Sequence, residues 1–404
     1  MSAKQGVGAL PLDGLRVLDV ATILAGPMIG MNLGDFGADV IKIEHPRGDA
    51  MRSFGYLKDD VPLFWKVVSR NKRCVTLNLG DGRGQDLFRR LVATADVLIE
   101  NFRPGTMERW GLGWEALSAL NPRLVMVRVT GFGQTGPLAS RAGFGTVAEA
   151  MSGFSFINGD PEGPPMLPPV GLGDTIAAHY GTFATMFALY DRDARGSGRG
   201  QMIDLSIYEP MFASIGYQTT LFDQLGIVQQ RLGNRSAANA PRNCYKTADE
   251  RWVALSAAAP SVTRRVLTLT GGTAVADDPR FQTAEGRRKH NDELDQIVGA
   301  WIGQRTLVEV LAQFEAAEAA IAPVYDIEQI LADAQYKARN DVITVEDPEL
   351  GPLRMQNVFP FMSRTPGQVR FSGPRLGEHN REIWCDEFGV PQETLDALRS
   401  EGVV

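Results

Sequence analysis

The sequence predicts an α/β protein with a parallel sheet in a large domain, accompanied by a smaller domain. Apolar runs typical of buried strands lie at residues 15–20 and 40–44, and a helical pattern that ends near residue 36 separates them. This spacing is that of a strand, helix, strand unit, which is the connection that parallel strands require. From about residue 220 the chain turns polar and loop-like before new strand and helix patterns begin. The second observation indicates a separate folding unit.

The remaining elements follow the same pattern along the chain. Further strands are predicted at residues 74–79, 97–99, 124–129 and 201–207, and helices at residues 83–93, 141–153 and from 175 onward. Residues 348–361 have the character of an extended segment that returns the chain to the first domain. We therefore predict a large domain of residues 1–220 and 330–404 and a small domain of residues 221–329.

Composition narrows the classes of function. The chain has 404 residues, of which 44% are hydrophobic and 22% charged, as in ordinary globular proteins. Its net charge of −7 argues against a nucleic-acid partner. Neither an apolar run of membrane-spanning length nor a secretory signal is visible, so we expect a cytoplasmic protein without a membrane partner. The cysteines are scattered, and so are the histidines; no metal site and no disulfide are expected (Cys74, Cys244, Cys385; His45, His179, His290, His379).

The first strand, helix, strand unit has one feature of a dinucleotide-binding site. Glu44 ends the second strand, where dinucleotide-binding folds place an acid on a ribose. The turn at residues 21–27 lacks the G-x-G-x-x-G pattern that lets the backbone approach a pyrophosphate. An NAD-binding function is therefore disfavoured.

Basic residues are grouped in two places. Lys66, Arg70, Lys72 and Arg73 form a stretch that contains no acid, and this is either a solvated face or a landing place for a phosphorylated ligand. Arg103 and Arg109 follow the strand at 97–99, and ligands of open α/β sheets bind beyond the carboxyl ends of strands. They are candidates for binding phosphate.

Asp174 is the candidate catalytic residue. Gly171 and Gly173 lead up to it, and a helical pattern starts directly afterwards. Glycines let the backbone turn tightly and leave the carboxylate accessible to a ligand. Asp is also a preferred helix N-cap, so a capping role and a catalytic role both remain open. The same helix start would keep the carboxylate ionised and could stabilise an oxyanion.

An ordered set of motifs resembles the family III CoA-transferases, the group that includes formyl-CoA transferase and L-carnitine CoA-transferase. The strongest stretches are PLDGLRVLD (11–19), AGP (25–27), LGDFGADVIKIE (33–44), NKR (71–73), ENFRPG (100–105), GFGQTGP (131–137), GD (173–174) and GSGRGQ (196–201), with weaker matches at 322–324 and 374–379. Each stretch alone is short, and their common order along the chain is the signal.

The resemblance implies both a fold and a mechanism. It implies a Rossmann-like large domain built from both chain ends, a small α/β domain and an intertwined homodimer. Asp174 matches the family's catalytic aspartate, which attacks an acyl-CoA thioester and carries first the acyl group and then CoA before a free carboxylic acid accepts it. Coenzyme A, as the acyl-CoA co-substrate, is the only cofactor implied. A small dicarboxylate donor such as succinyl-CoA is our working hypothesis.

The resemblance also assigns CoA contacts. The matching positions are Leu24, Ala25, His45, Leu77, Asn78, Leu79, Asn101, Phe102, Arg103, Arg109, Arg141, Phe144 and Gly145, and the basic stretch adds Lys72 and Arg73. His45 departs from the arginine common at its position. Residues 234–241 match the family's mobile loop but lack its glycine run.

Two other functions were weighed. An acyl-CoA racemase of the α-methylacyl type needs two acid/base groups, and this chain has Phe144 where those enzymes have histidine. Many transferases carry an acid at position 145, where this chain has Gly145. A non-catalytic CoA-ester-binding protein is the third possibility, and the retained Asp174 argues against it.

Overall fold

The computed structural model describes residues 10–404, which form two units. The strands are β1 (Arg16–Asp19), β2 (Asp39–Glu44), β3 (Leu57–Lys58), β4 (Val61–Pro62), β5 (Lys72–Thr76), β6 (Val97–Glu100), β7 (Val125–Thr130), β8 (Met202–Ser206), β9 (Arg242–Lys246), β10 (Trp252–Ser256), β11 (Ile321–Pro323), β12 (Val342–Asp347) and β13 (Gly351–Gln356).

Helices connect these strands. They are α1 (Ala25–Asp35), α2 (Leu63–Val68), α3 (Gly82–Val92), α4 (Thr106–Arg109), α5 (Trp114–Leu120), α6 (Gly145–Met151), α7 (Phe154–Ile157), α8 (Leu172–Asp193), α9 (Tyr208–Ser214), α10 (Gln218–Leu225), α11 (Pro260–Ala276), α12 (Ala284–Lys289), α13 (Asn291–Gly303), α14 (Leu307–Ala316), α15 (Ile327–Ala332), α16 (Ala334–Ala338) and α17 (Gln392–Ser400). Short 3₁₀ turns lie at Ala50–Ser53 and Pro279–Phe281, and a π-helix lies at Arg381–Glu387.

A parallel six-stranded sheet in the order β5-β2-β1-β6-β7-β8 forms the centre of the first unit. Its central strands β6 and β7 are buried along their whole length, as expected for a parallel sheet that is covered on both faces. On β1, Val17 joins the core cluster on one face and Leu18 the cluster on the other, since successive side chains of a strand point to opposite sides. The predicted α/β class with a parallel sheet is confirmed.

The sheet reverses its direction of growth between β1 and β6. From β1 the chain adds β2 and β5 on one side, and it then returns to place β6, β7 and β8 on the other. The loops leaving the carboxyl ends of β1 and β6 therefore diverge, and the crevice between them is where ligands bind in open α/β sheets. This topology directs attention to residues 20–25 and 101–104.

Two predicted elements have different limits. The strand predicted at 74–79 starts at Lys72 and ends at Thr76. Pairing stops because the backbone N–H of Asn78 donates to the carbonyl of Val403, at 2.7 Å, instead of to a neighbouring strand. The helix predicted at 141–153 is confined to Gly145–Met151, since the preceding loop packs against the backbone of residue 131.

The basic stretch before β5 is ion-paired within the fold. The Lys66 ammonium lies 2.9 Å from Asp347, the Arg70 guanidinium 2.6 Å from Asp35, and the Lys72 ammonium 2.9 Å from Asp19. Arg73 pairs with Asp39 at 2.7 Å. The stretch is therefore no solvated face. Each carboxylate partner comes from a segment distant in sequence, so the charge pattern alone did not reveal the pairing.

The second unit comprises Ser155–Met166 and Tyr217–Tyr336. An antiparallel sheet, β11-β10-β9, packs with its helices around buried side chains that include Val253, Val266 and Phe314. The first unit holds Leu167–Gly216, Lys337–Val404 and the described chain up to Phe154, so its limits differ by a few residues from the predicted domains and Ser155–Met166 joins the second unit. That the two units fold as separate domains stays a prediction.

Candidate active site

A cavity of about 720 Å³ lies at the carboxyl ends of the parallel strands. The loops that follow β1, β6, β7 and β8 all contribute to its wall, as do residues 141–146 and the segment from Leu167 to Asp174. All of these residues belong to the first unit. The position is the one that the strand order predicts for a ligand.

Asp174 lies in the first turn of α8 and lines this cavity. The N-cap of α8 is Gly171, and no side chain caps the helix, so the capping role considered from the sequence is wrong. Among residues 10–404, no hydrogen bond to the Asp174 carboxylate is found. Burial, and secondly the negative charge of Glu149, raises the pKa of Asp174 to about 6. The carboxylate is ionised at neutral pH, accessible, and more basic than an ordinary aspartate.

Glycines make room for this carboxylate. A Cβ atom at Gly145 would stand 2.2 Å from the Asp174 Oδ2 atom, well inside van der Waals contact. A Cβ at Gly173 would stand 3.1 Å from the carbonyl oxygen of Gly145, and one at Gly171 would stand 2.8 Å from the Leu24 side chain. The departure at position 145 therefore has a physical reason: the Asp174 carboxylate occupies the space of the missing side chain.

Glu149 is the second carboxylate of the cavity. It lies one turn after Gly145 on α6, and its side chain is only 2% exposed. Its Oε1 atom accepts a hydrogen bond from the Gly173 backbone N–H at 3.0 Å. The sequence reading missed this residue. Glu149 shares the buried face of α6 with Gly145, Ala148 and Ser152, and an acid on a buried helix face is a signal that could have found it.

The first residues of three helices line the cavity. Leu24 and Ala25 begin α1, Phe144 and Gly145 begin α6, and Gly171 precedes α8. None of these N-caps provides a side-chain cap. Helix N-termini carry free N–H groups and a partial positive charge, which stabilise anions. The arrangement can therefore stabilise a thiolate or the oxyanion of a tetrahedral intermediate.

The loop after β1 is held in a strained conformation. Ile23 has a φ of 67°, in the left-handed region that β-branched residues rarely adopt. The Asn101 side chain accepts from the Thr22 N–H and donates to the Thr22 carbonyl, both at 2.8 Å. The Asp49 carboxylate accepts from the Ile23 N–H at 3.2 Å. Strain of this kind persists only where the surroundings impose it, and it is typical of functional sites.

Buried charges support the same loop. The Lys42 ammonium donates to the Ala21 carbonyl and lies 3.1 Å from Asp49. The Lys72 ammonium donates to the Pro27 carbonyl at 2.7 Å and to Asp19 at 2.9 Å. Lys72 was predicted to bind phosphate. Because it is fully buried and ion-paired, Lys72 joins the end of β1 to the first turn of α1, on either side of that loop, and it is absent from the cavity wall.

Nine predicted site residues line the cavity: Leu24, Ala25, Asn101, Phe102, Arg103, Arg141, Phe144, Gly145 and Asp174. The others stand outside its wall: His45, Lys72, Arg73, Leu77, Asn78, Leu79 and Arg109. His45 is exposed, and burial followed by the charge of Arg47 lowers its pKa, so it is neutral at pH 7. Leu77 and Leu79 are buried in the core beside β5. Arg109 is exposed and donates to the Thr106 hydroxyl at 2.9 Å.

The described residues were also searched for a membrane-spanning helix and for a metal site. Within residues 10–404, no helix has the length and apolar character needed to cross a membrane. Over the same residues, no group of His, Cys, Asp and Glu side chains is arranged to hold a metal ion.

The sequence matches a known protein family and several characterised relatives. The family model described as CoA-transferase family III matches residues 12–380. The chain is 42% identical to succinyl-CoA–D-citramalate CoA-transferase of Chloroflexus aurantiacus over 98% of each chain. It is 35% identical to succinate–glutarate CoA-transferase of Agrobacterium fabrum, over 93% of this chain and 95% of that one.

A solved structure has the same fold. The crystal structure of a CAIB/BAIF family protein from Brucella suis superimposes with a TM-score of 0.82. It is 32% identical in sequence, and the match covers 94% of this chain and 99% of that one.

Proposed function

The chain belongs to CoA-transferase family III and moves CoA from an acyl-CoA to a carboxylate, and from this premise we propose that Asp174 carries the groups in transit. The observation that supports this role most directly is the environment of the Asp174 carboxylate. It lines the cavity at the helix N-termini, is free of hydrogen bonds from residues 10–404, and has a raised pKa. Such a carboxylate is a competent nucleophile at neutral pH.

The proposed reaction exchanges acyl groups through covalent intermediates. An Asp174 oxygen attacks the thioester carbonyl carbon, the C–S bond breaks, and CoA leaves as its thiolate. The thiolate then attacks the aspartyl carbonyl of the mixed anhydride, which releases the donor acid and leaves an aspartyl-CoA thioester. The acceptor carboxylate attacks this thioester and regenerates a mixed anhydride and a thiolate. Thiolate attack on the acceptor acyl carbon completes the exchange and restores Asp174.

Trapping tests this proposal on the wild-type protein. Hydroxylamine attacks anhydrides and thioesters, so incubation with an acyl-CoA and hydroxylamine should convert Asp174 into a hydroxamate. Intact mass followed by peptide mapping locates the modification. An unmodified protein that still exchanges CoA, or a modification at another residue, would contradict the mechanism.

The substrate pair that we propose is succinyl-CoA with a second dicarboxylic acid. The named relatives act on succinyl-CoA with D-citramalate and on succinate with glutarate, and all of these acids carry two carboxylates. Arg141 lines the cavity, and it is exposed. Such a guanidinium can bind the second carboxylate of either acid in a bidentate manner. A panel of acyl-CoA donors and acids, with products read by mass, tests this pairing.

Arg103 is the proposed contact for a CoA phosphate. It follows β6 in the cavity wall, and an exposed guanidinium at that position suits a phosphate. We expect Arg103→Ala to raise the KM for the acyl-CoA about tenfold or more, because a charge-assisted hydrogen bond contributes about 1.5–3 kcal/mol, while kcat changes little. Arg109→Ala should have a smaller effect, because Arg109 stands outside the wall.

Steady-state kinetics over a range of acyl-CoA concentrations measures both constants. Arg83→Ala is the matched control, since this exposed arginine pairs with Asp81 at 3.0 Å on α3 and is expected to leave KM unchanged. An unchanged KM for both Arg103→Ala and Arg109→Ala would remove these residues from the CoA site.

A racemase function receives less support from the cavity. Proton transfer at an α-carbon needs two acid/base groups, and Phe144 lines the wall where a histidine would be required.

We also propose a homodimer, with chains intertwined as the family resemblance implies. The outer face of α8 exposes aromatic side chains: Phe183, Phe187 and Tyr190 are 41%, 67% and 64% exposed. A contiguous apolar patch on a soluble protein marks an interaction surface.

Light scattering after size exclusion should give twice the 44.0 kDa of one chain. Phe187→Asp should shift the mass toward one chain, whereas Asp191→Ala on the same helix should not; a wild-type monomer would refute the proposal.

A further inference from the structure

Glu149 is a buried carboxylate beside the nucleophile, and the reaction described above does not use it. It stands one turn after Gly145 on α6, and Gly145 is the residue over which the Asp174 carboxylate lies. Its Oε1 atom accepts from the N–H of Gly173, the residue directly before Asp174, at 3.0 Å. Glu149 is only 2% exposed, so solvent screens its charge poorly and the charge acts strongly on neighbouring groups in the cavity wall.

We propose that Glu149 is a positioning residue that sets the nucleophilic strength of Asp174, an inference that rests on the proposed covalent mechanism. Two carboxylates in one partly buried site repel each other, and this repulsion is relieved when one of them becomes neutral. Acylation does this. When the Asp174 oxygen bonds to the acyl carbon, Asp174 becomes neutral. The negative charge is carried away from Glu149 by the departing CoA thiolate. The charge of Glu149 therefore destabilises free Asp174 relative to both covalent intermediates.

The hydrogen bond gives Glu149 its second effect. By accepting from Gly173, it fixes the first turn of α8 and so the direction from which the Asp174 carboxylate enters the cavity. A nucleophile that is held in place reacts faster because less orientational freedom is lost on reaching the transition state. Both the charge of Glu149 and its hydrogen bond to Gly173 affect Asp174. A substitution that removes the charge and keeps the hydrogen bond distinguishes the two effects.

The other charges around the cavity act in the opposite direction. Arg103 and Arg141 come from the loops after β6 and before α6, and the N-terminus of α8 carries a partial positive charge. All of these favour an ionised Asp174. Burial and then the charge of Glu149 raise the pKa of Asp174 to about 6. Asp174 is ionised at pH values above its pKa. We therefore expect kcat/KM to be at its maximum above that pKa and to fall as the pH is lowered through it.

Glu149→Gln tests the inference, because the glutamine oxygen can still accept from Gly173 while the charge is lost. We expect the acid limb of the kcat/KM profile to move to lower pH by about one unit. Acylation of Asp174 at pH 8, followed by rapid quench and intact mass, should slow about threefold to tenfold, because a less basic carboxylate is a weaker nucleophile. Glu149→Asp, which keeps the charge, should keep the acid limb near that of the wild type.

A purely structural role would give another pattern. In that case Glu149→Gln would keep the wild-type pH profile, and Glu149→Asp, whose shorter side chain strains the hydrogen bond, would be the more damaging change. Either result overturns the inference. If wild-type Asp174 forms no covalent adduct at all, the proposed mechanism fails; if the adduct forms in both proteins and the acid limb does not move, only the role of Glu149 fails. Thermal melting of each variant confirms that the fold is intact.

Discussion

Asp174→Ala is expected to lower kcat at least about 10³-fold, because every covalent step of the proposed exchange passes through this carboxylate. The fold should be preserved, since the Asp174 side chain neither caps α8 nor forms a salt bridge with any residue of 10–404. The measurement is CoA exchange between succinyl-CoA and a free dicarboxylic acid, followed by product mass. Asp174→Asn should fail to the same degree, because an amide keeps the shape and lacks the nucleophilic oxygen anion.

Asp191→Ala is the matched control for this experiment. Asp191 lies on the same helix, has a side chain that is 44% exposed, and is only loosely paired with Arg195, at 3.8 Å. A surface ion pair of this kind contributes little, and its loss should leave turnover unchanged. Normal turnover by Asp174→Ala would end the proposal that this residue carries the acyl group, whatever the family relationship.

Gly145→Ala should damage activity strongly, because the added methyl group enters the space of the Asp174 carboxylate. The new Cβ would lie 2.2 Å from the Asp174 Oδ2 atom and 3.0 Å from its Cγ, so the Asp174 carboxylate has to rotate away. A displacement of about 1 Å in a reacting group can cost about 10²-fold in rate. We expect kcat to fall by about that factor, while the KM for the acyl-CoA changes much less.

Gly82→Ala provides the comparison. Gly82 begins α3, and a Cβ at this position would meet no atom within 4 Å. Alanine is a better helix residue than glycine, so this variant should be as active as the wild type and at least as stable. If Gly145→Ala has wild-type kcat, the space over Gly145 is not where the reacting carboxylate sits during turnover, and the assignment of that space fails.

The parts of the fold that depend on local pattern were predicted from the sequence. The short apolar runs within β1, β2, β6 and β7 indicate buried parallel strands, because successive apolar residues on a strand need cover on both faces of the sheet. The glycines and the helical periodicity predicted a helix from residue 175 onward, but α8 begins at Leu172, so Asp174 lies inside its first turn and not ahead of it. These features are encoded within a few neighbouring residues.

The features that depend on distant partners were not predicted. Lys72 reads as part of a basic surface stretch, and only the fold brings Asp19, 53 residues away, to its ammonium. Glu149 carries no motif, and its role in the site arises from the approach of α6 to the N-terminus of α8. The resemblance supplied Asn101 as a CoA contact, whereas its two hydrogen bonds to Thr22 show that it also joins two loops of the cavity wall.

The convergence of α1, α6 and α8 on one cavity has a practical consequence for measurement. Their N-terminal residues attract any small anion, and not only the substrate, because free N–H groups do not distinguish a thiolate from an inorganic oxyanion. Sulfate and phosphate buffers will therefore compete with both acids, and Michaelis constants determined in them will overstate the true values. Zwitterionic buffers at low ionic strength are the appropriate medium in which to rank donor and acceptor acids.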